Sequence, residues 1–415
     1  MSAIPFEELY QTGREAQRER YRRIAAGYEA HFGKGEVSFF SAPGRTEVGG
    51  NHTDHNHGNV LAAAVNLDIV AAAAPIAEPV VRLHSEEYPG TDEIILSELA
   101  PRKEEQGTSA ALLRGVCARC RELGYHVGGF QAYTATQVLK GSGLSSSAAF
   151  EIALVTIISH LFNDGGIDPV TAAQIAQYAE NVYFGKPSGL MDQMACSVGG
   201  FTAMDFRDPQ KPVLEKVEFP LEKAGYALCI VDTGGNHADL TGEYAAIPAE
   251  MKAVARELGA SVLRDVRKED FHARMGELRQ KLGDRAVLRA LHFFRDNALA
   301  QEEATCLKER DFPGFLSRVV ASGRSSALCL QNLYSCSDPA HQGLTLALAL
   351  SESILAGKGA WRVHGGGFAG TIQAFVPREM LETYRAQIEA VFGEGACHVI
   401  SVRSAGGIQV KLTKM

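Results

Sequence analysis

Cysteine, aromatic residues and positive charge are all scarce in this chain of 415 residues. Aromatic residues make up 8% of it, and the eight cysteines are irregularly spaced. Such spacing does not fit a disulfide framework, so we expect reduced thiols and a cytoplasmic location. Lysine and arginine total 41 against 49 acidic residues, for a net charge of −8. This balance excludes a general electrostatic attraction to nucleic acid or to anionic membranes.

Long uninterrupted hydrophobic runs are also missing. The most apolar stretch, 61–77, contains Asn66 and Asp68 and is too short to span a bilayer. The N-terminal segment mixes both charge signs without an apolar core, so we expect no signal peptide. With 46% hydrophobic and 22% charged residues, the composition is typical of an ordered globular protein, and the length predicts two or three domains.

Cys117 and Cys120 form a CxxC pair inside a segment with a helical pattern. A zinc site of this kind needs a second pair of cysteines or histidines at a matching distance, and the sequence has none. We therefore expect buried structural cysteines here, with a metal site as the weaker alternative.

Hydrophobic periodicity and turn residues predict alternating strands and helices in the first half of the chain. The strand that begins at residue 36 is expected to end in a turn at Pro43 and Gly44, and Asp168 is expected to cap a helix. Strands are predicted at 36–44, 59–73 and 128–138, and helices at about 6–31, 109–123, 148–162 and 168–184.

A new pattern begins after Pro212, and we place a domain boundary near 200–215. The predicted domains are 1–205 and 206–415. The second half is predicted to contain a strand at 226–233, helices near 241–258, 270–281, 310–331 and 338–356, and then a strand, a glycine loop, a strand, a helix and a strand. No repeat or long linker separates the halves, so we expect them to pack around one cleft.

The segment Gly141 to Ala149, GSGLSSSAA, joins a predicted strand to a predicted helix. Its glycines allow a ligand to approach the backbone, and free N–H groups at a helix start favour a phosphate. The alternative is a serine-rich helix cap with turn glycines. A Walker A loop is excluded, because GxxxxGK followed by Ser or Thr does not occur.

The segment 41–58 collects an unusual number of polar side chains between two strands. A metal cluster, a loop that binds hydroxyl groups, and a solvated loop all fit this composition. The side chains are those of Arg45, Glu47, His52, Asp54, His55 and His57.

Two further motifs follow. Asp192 lies beyond a glycine in the predicted loop 186–193, after the helix that carries Glu180. A single acidic residue at such a place usually caps a helix at the protein surface. Residues 365–370, GGGFAG, formally satisfy the dinucleotide-binding pattern GxGxxG, but a strand-like segment and not a helix follows them, which disfavours NAD binding.

In this order, the segments resemble the GHMP family of small-molecule kinases and, within it, the galactokinase branch. The resemblance extends over nearly the whole chain. It rests on 45–58, similar to the family's sugar signature; 141–149, similar to its phosphate loop GLSSSA; 189–193, similar to GIMDQ; and 365–370, similar to GGGFGG. It implies an α+β fold of two domains, an N-terminal mixed sheet with helices and a ferredoxin-like C-terminal domain, with the active site between them.

The resemblance also implies an activity: ATP-dependent phosphorylation of the anomeric hydroxyl of galactose, with Mg²⁺ as the metal ion. ATP and a small sugar would then be the partners, with no nucleic acid or membrane. Asp192 would accept the proton of the hydroxyl, and Arg45 would keep Asp192 ionised and offer positive charge to the phosphoryl group.

The remaining expected ligands also come from the resemblance. Ser147 and Glu180 would hold Mg²⁺. The sugar would contact Asn51, His52, Asp54, Gly189 and Tyr244. The nucleotide would contact Lys140, Gly141, Ser142, Gly143, Leu144, Ser145, Ser146, Ser147 and Ala148.

The sugar signature departs from the family pattern. Asn51 stands where the family has Glu, Glu47 where it has Asn, Gly49 where it has Ile, and His55 where it has Tyr. The family's Glu accepts a hydrogen bond from a sugar hydroxyl far from the reacting carbon, whereas an uncharged Asn51 would tolerate a carboxylate there. Galacturonate, another C6-modified hexose or another small alcohol therefore remain alternative substrates.

An alternative of another class is a sensor that binds galactose and ATP without turnover. Loss of the catalytic acid or of part of the phosphate loop would favour it. Arg45, Asp192 and the serines of the loop are all present, so the sequence favours the enzyme.

Overall fold

A large mixed sheet forms the first layer of the structure, a computed structural model that describes residues 3–10, 12–139, 142–235 and 240–412. Two pairs of strands in it are parallel, Val80–Ser85 with Phe130–Thr136 and Ala3–Pro5 with Ile408–Lys411, and the other pairs are antiparallel. The strand order is β1 (Ala3–Pro5), β13 (Ile408–Lys411), β2 (Ser38–Gly49), β3 (Asn59–Pro75), β6 (Phe130–Thr136), β4 (Val80–Ser85) and β5 (Thr91–Ile95), with β7 (Phe201–Asp205) and β8 (Val213–Val217) extending from β3.

A smaller antiparallel sheet lies in the second half of the chain. Its order is β10 (Ala360–Val363), β11 (Thr371–Pro377), β9 (Tyr226–Asp232) and β12 (Cys397–Ile400). The last strand, β13, returns to the large sheet and pairs with β2. The predicted domain boundary falls between β7 and β8, which pair with each other.

Helices cover both sheets, and within the described residues none is long and apolar enough to cross a membrane. They are α1 (Phe6–Leu9), α2 (Arg14–Phe32), α3 (Ser109–Glu122), α4 (Ser146–Phe162), α5 (Pro169–Tyr178), α6 (Met191–Val198), α7 (Thr241–Glu257), α8 (Lys268–Leu282), α9 (Asp284–Glu309), α10 (Phe312–Ser325), α11 (Gly343–Leu355) and α12 (Leu381–Phe392). Cys117 and Cys120, on α3, are buried and free, as expected.

The main hydrophobic core is built around β3 and α4. The alanines of β3 at 62–64 and 71–73 are fully buried, and small side chains there let helices pack closely on the strand. The same core includes Leu228 and Ile230 of β9 and Phe375 of β11. The two halves of the chain therefore share one continuous core.

Strands β1, β4, β5, β7 and β8 were not predicted, and the helix predicted at 6–31 is divided into α1 and α2. Three further differences concern the surroundings of the site. Strand β2 does not end at Pro43 and Gly44 but continues to Gly49, because a bulge between Pro43 and Arg45 absorbs the proline, which has no N–H to donate. The predicted loop 186–193 ends in α6, so Asp192 lies in the first turn of a helix. The longest helix, α9, was not predicted at all, although it contains neither glycine nor proline.

A buried ionic cluster connects α2, β3 and the segment before β13. Asp68, fully buried, accepts hydrogen bonds from Arg20 at 2.6 Å, Arg403 at 2.9 Å and Tyr10 at 2.6 Å. Burial opposes the ionisation of Asp68, but the two guanidinium groups and the bond from Ser41 outweigh it and lower its pKa. The cluster holds the N-terminal helix and the C-terminal strand to the same point of the sheet.

Replacing Asp68 with Asn should destabilise the protein by about 3 to 5 kcal/mol, because two buried guanidinium groups would then lack a counter-charge. Urea unfolding at pH 7 measures this change. The matched control is Asp270→Asn, which removes an exposed carboxylate 4.0 Å from Arg267 and should change stability by less than about 0.5 kcal/mol. Equal effects of the two substitutions would contradict this account of the cluster.

Candidate active site

The centre of the site is an ion pair between Arg45 on β2 and Asp192 on α6. Both Nε and Nη2 of Arg45 approach Asp192 Oδ1, at 2.8 and 2.7 Å. Nη1 of Arg45 donates to the carbonyl of Gly143, and the Ser145 hydroxyl donates to Asp192 Oδ2. One guanidinium thus connects a strand, a helix and the serine loop between β6 and α4.

Asp192 is ionised in this setting. Burial raises the pKa of its carboxyl, but the charge of Arg45 and the hydrogen bonds from Ser145 and Arg45 outweigh that effect and hold the pKa below its ordinary value. An ionised carboxylate of low pKa is a weak base, and it can orient a hydroxyl group and take its proton only as that hydroxyl becomes more acidic during a reaction.

The serine loop is held against β2 by its backbone. The Arg45 N–H donates to the carbonyl of Leu144 at 3.0 Å. A Cβ on Gly44 would lie 2.7 Å from that carbonyl oxygen, so only glycine permits this approach. Ser145 has a left-handed backbone with φ of 59° and directly precedes α4.

The first N–H groups of α4 lack intrahelical acceptors, which makes this end of the helix suitable for phosphate. Of the residues expected to contact a nucleotide, Ser142, Gly143, Leu144, Ser145, Ser146, Ser147 and Ala148 form this continuous turn, and Lys140 and Gly141 lie outside the described residues.

A series of hydrogen bonds from the C-terminal half of the protein also supports the serine loop. His364, just before the GGGFAG segment, contacts Thr46 Oγ1 at 3.1 Å and Thr371 Oγ1 at 2.9 Å, and Thr371 donates to the Ser142 carbonyl at 2.7 Å. Burial, followed by the charge of Arg45, lowers the pKa of His364 to about 3, so the ring is neutral. His364 was not predicted as a site residue, because a single histidine before a glycine run carries no distinctive signal in a sequence.

A buried carboxylate lies beside the start of α4. Glu180 belongs to a π-helical segment, Ala179–Phe184, that follows α5, and its side chain is 2% exposed. Ser147 Oγ donates to Glu180 Oε1 at 3.2 Å, and Gln193 Nε2 donates to Oε2 at 2.8 Å. Gln193 also donates to the buried Glu151 at 3.2 Å. Helix α6 therefore positions both carboxylates, because it carries Asp192 itself and the Gln193 side chain that holds Glu180.

Oxygen ligands of this kind suit a hard cation such as Mg²⁺, whose coordination would be completed by phosphate oxygens and water. Within the described part of the chain, no group of three or more His, Cys, Asp or Glu side chains is arranged to hold a metal ion without such help. The metal cluster considered for the histidines between 52 and 57 is accordingly not formed by these side chains.

Next to the ion pair lie Asp54 and Gly189. A Cβ on Gly189 would lie 1.7 Å from Asp54 Oδ2, so the glycine allows the carboxylate to approach the loop before α6. His52 contacts the Gly366 carbonyl at 3.0 Å, and its ring lies 5.9 Å from that of His55. Burial, with the charge of His55, lowers the pKa of His52 to about 4.

Tyr244 reaches the same region from α7. Its hydroxyl donates to the Gly367 carbonyl at 2.8 Å, and its ring occupies the space that a Cβ on Gly366 would need. His52 and Tyr244 thus contact successive glycines of the GGGFAG segment, and with Asp54 and Gly189 they form a polar group beside Asp192.

Asn51 does not join this group. Its side chain is fully buried, and all four of its hydrogen-bonding positions are used: Nδ2 donates to Glu47 at 2.8 Å and to the Gly365 carbonyl at 2.7 Å, while Oδ1 accepts from Ser326 at 3.2 Å and from Asn332 at 2.9 Å. An amide with this full set of partners has nothing left to offer a ligand.

Helix α9 also holds the backbone of Asn51 in place. The Asn51 N–H donates to Asp296 at 2.6 Å, and His292 Nε2 contacts the Asn51 carbonyl at 2.8 Å. Positions 47 and 51, at which the sequence departs from the family pattern, are thus in direct contact, and Glu47 also pairs with Arg362 at 2.8 Å.

Two family models match the chain: the galactokinase galactose-binding signature over residues 26–75, and the GHMP kinases N terminal domain over residues 111–200. The galactokinase of Streptomyces coelicolor is 30% identical over 380 residues, which cover 90% of this chain and 92% of that protein. The galactokinase of Glaesserella parasuis is 29% identical over 366 residues, with 87% and 91% covered.

Solved structures have the same fold. Lactococcus lactis galactokinase, crystallised in complex with galactose, superposes with a TM-score of 0.81 at 23% identity, covering 94% of this chain and 100% of that one. The mevalonate kinase of Methanococcus jannaschii has a TM-score of 0.62 at 14% identity, with 90% and 100% covered.

The buried Glu47 should make stability depend on pH. Burial raises the pKa of Glu47 from 4.5 to about 7, because ionising this carboxyl is harder in the folded protein than in the unfolded chain. The free energy of unfolding is therefore highest below pH 4.5 and falls as the pH rises through 7. The loss amounts to about 3 kcal/mol. Glu47→Gln should therefore flatten the fall in unfolding free energy between pH 5 and pH 8, measured by urea titration at several pH values.

The exposed Glu93, which pairs with Arg82 at 2.8 Å, provides the control. Glu93→Gln should leave the pH dependence unchanged. A Glu47→Gln protein whose stability falls with pH as steeply as the wild type would contradict the raised pKa.

Proposed function

Since the chain belongs to the galactokinase family of the GHMP kinases, we propose that it transfers the terminal phosphoryl group of ATP to the anomeric hydroxyl of galactose. The observation that carries this proposal is the Arg45–Asp192 ion pair, held against a serine loop at the N-terminus of α4. Phosphoryl transfer depends mainly on positioning and on neutralising charge, and this arrangement provides both.

Asp192 is the group that we propose to orient the sugar hydroxyl. Its carboxylate is ionised and held in one orientation by Arg45 and Ser145. A sugar hydroxyl that donates to this carboxylate would therefore also be held in one orientation. A weak base is sufficient, because in a loose transition state the proton leaves late, after the bond to phosphorus has begun to form. Arg45 offers its charge to the phosphoryl group throughout.

The nucleotide phosphates would bind at the turn 142–148, where backbone N–H groups and serine hydroxyls converge on the helix start. Glu180 and Ser147 are the residues that would hold Mg²⁺, and their oxygen atoms suit that ion. When bound, the ion would supply positive charge that neutralises the phosphates.

For the sugar, we propose a site formed by His52, Asp54, Gly189 and Tyr244. These residues lie together beside Asp192 and supply a carboxylate, an imidazole and an aromatic ring, which are suited to hydroxyl groups and a sugar face. Asn51 is left out, since its hydrogen-bonding positions are taken by the protein.

This last point favours a second candidate, a kinase for galacturonate or another C6-modified hexose. A site without the family's Glu lacks one negative charge that would repel a substrate carboxylate. The buried network around Asn51 adds no charge toward the proposed sugar site, which is compatible with such a substrate.

Replacing Asp192 with Asn should lower kcat by about 10² to 10⁴, because the hydroxyl would lose its proton acceptor while the shape of the site is kept. ATP binding, measured by calorimetry, should remain near that of the wild type. Asp208→Asn, in the turn between β7 and β8, is the control and should keep full activity. Full turnover by Asp192→Asn would rule out its proposed role.

The substrate is tested by ADP release with galactose, galacturonate, N-acetylgalactosamine and glucose, each at several concentrations. We expect the highest kcat/KM with galactose. A higher value with galacturonate would support the second candidate in its place. Binding of galactose and ATP without ADP release from any sugar would contradict the kinase function and identify a sensor.

A further inference from the structure

Lys186 is a charged residue at the phosphoryl-transfer site that none of the sequence motifs assigned. Its ammonium lies 2.9 Å from Glu180 Oε1, the same oxygen that accepts the Ser147 hydroxyl. A metal ion held by Ser147 and Glu180 would therefore compete with the Lys186 ammonium for this oxygen. Within the described residues, Lys186 is the one ion-pair partner of Glu180.

The carboxylate of Glu180 needs a counter-charge at all times. It is 2% exposed, and an ionised carboxylate so deeply buried is costly without a cation beside it. Its other oxygen is occupied by the uncharged amide of Gln193. Before a metal ion binds, Lys186 is therefore the residue that neutralises this carboxylate.

Lys186 is anchored at its backbone and free at its end. Its N–H donates to the Glu180 carbonyl at 3.1 Å, and the neighbouring Gly185 and Pro187 shape a tight turn, with φ of 86° at Gly185. Its side chain is nevertheless 57% exposed, so the ammonium can turn without disturbing the fold. Because the buried carboxylate is the partner that needs a counter-charge, the pair can be broken at little cost once another cation takes the place of the ammonium.

The ammonium is also close to the reaction centre. Besides Glu180, its charge acts on Asp192, where after burial and Arg45 it contributes to the lowered pKa. Burial opposes the charge of Lys186, but the charges of Glu180, Asp192 and Glu151 outweigh it and raise the pKa of the ammonium.

On the basis of the proposed kinase function, we propose that Lys186 is a further catalytic residue that binds the terminal phosphate of ATP. Its ammonium neutralises Glu180 in the free protein. Once Oε1 is needed as a metal ligand, the ammonium leaves it and contacts the terminal phosphate, where it adds a point charge to that of Arg45. A positive charge stays beside Glu180 throughout this exchange, because the metal ion takes the place that the ammonium leaves.

The test compares the binding of a non-hydrolysable ATP analogue, AMP-PNP, with that of ADP by calorimetry in the presence of Mg²⁺. Lys186→Met should weaken AMP-PNP binding about tenfold and change ADP binding less than twofold. The reason is that AMP-PNP has a γ-phosphate, the terminal phosphate of ATP, and ADP does not. Lys186→Arg keeps the charge and should restore most of the affinity. Lys358→Met, an exposed lysine between α11 and β10, is the control.

Three outcomes would overturn the proposal: unchanged affinity of Lys186→Met for AMP-PNP, an equal loss for AMP-PNP and ADP, or no recovery with Lys186→Arg. Thermal unfolding of each variant in the absence of nucleotide checks that the fold is intact. A wild-type protein that binds neither nucleotide would instead contradict the kinase function itself, so the two failures are distinguishable.

Discussion

The ion pair between Arg45 and Asp192 is the interaction on which the rest of the site depends. Arg45 comes from the middle of the large sheet, and Asp192 from the first turn of a short helix more than a hundred residues later. Its guanidinium also holds the Gly143 carbonyl, and the carboxylate holds the Ser145 hydroxyl. Asp192 and the serine loop therefore cannot be positioned separately, and the proposed reaction, which is governed by alignment, would require this.

Buried polar contacts from the second half of the chain keep this pair in place. His364 and Thr371 connect the serine loop to the strand that carries Arg45. Helix α9 holds the backbone at Asn51 through His292 and Asp296. Because these bonds join segments that share one core, the surroundings of the ion pair are built by both halves of the chain and by neither alone.

Much of this could be predicted from the sequence, and the failures have physical causes. The alanine-rich strand β3, the buried helix α4 and the serine loop between β6 and α4 carry strong local signals, and the order of four motifs identified the family. Helix α9 is charged on much of its surface, and its partners lie about 240 residues away, so neither its contacts nor the burial of Asn51 had a local signal. Pro43 and Gly44 suggested a turn because a bulge depends on the partner strand, which a short segment does not reveal.

The central claim is that the Arg45–Asp192 pair directs phosphoryl transfer to the anomeric hydroxyl of a sugar. The most direct measurement is phosphorus–proton correlation NMR of the product formed from ATP and galactose. The account predicts a phosphorus signal coupled to the anomeric proton, as in a sugar 1-phosphate. A phosphorus signal coupled to any other sugar proton, or ATP hydrolysed to ADP and free phosphate with no sugar phosphate, would contradict it.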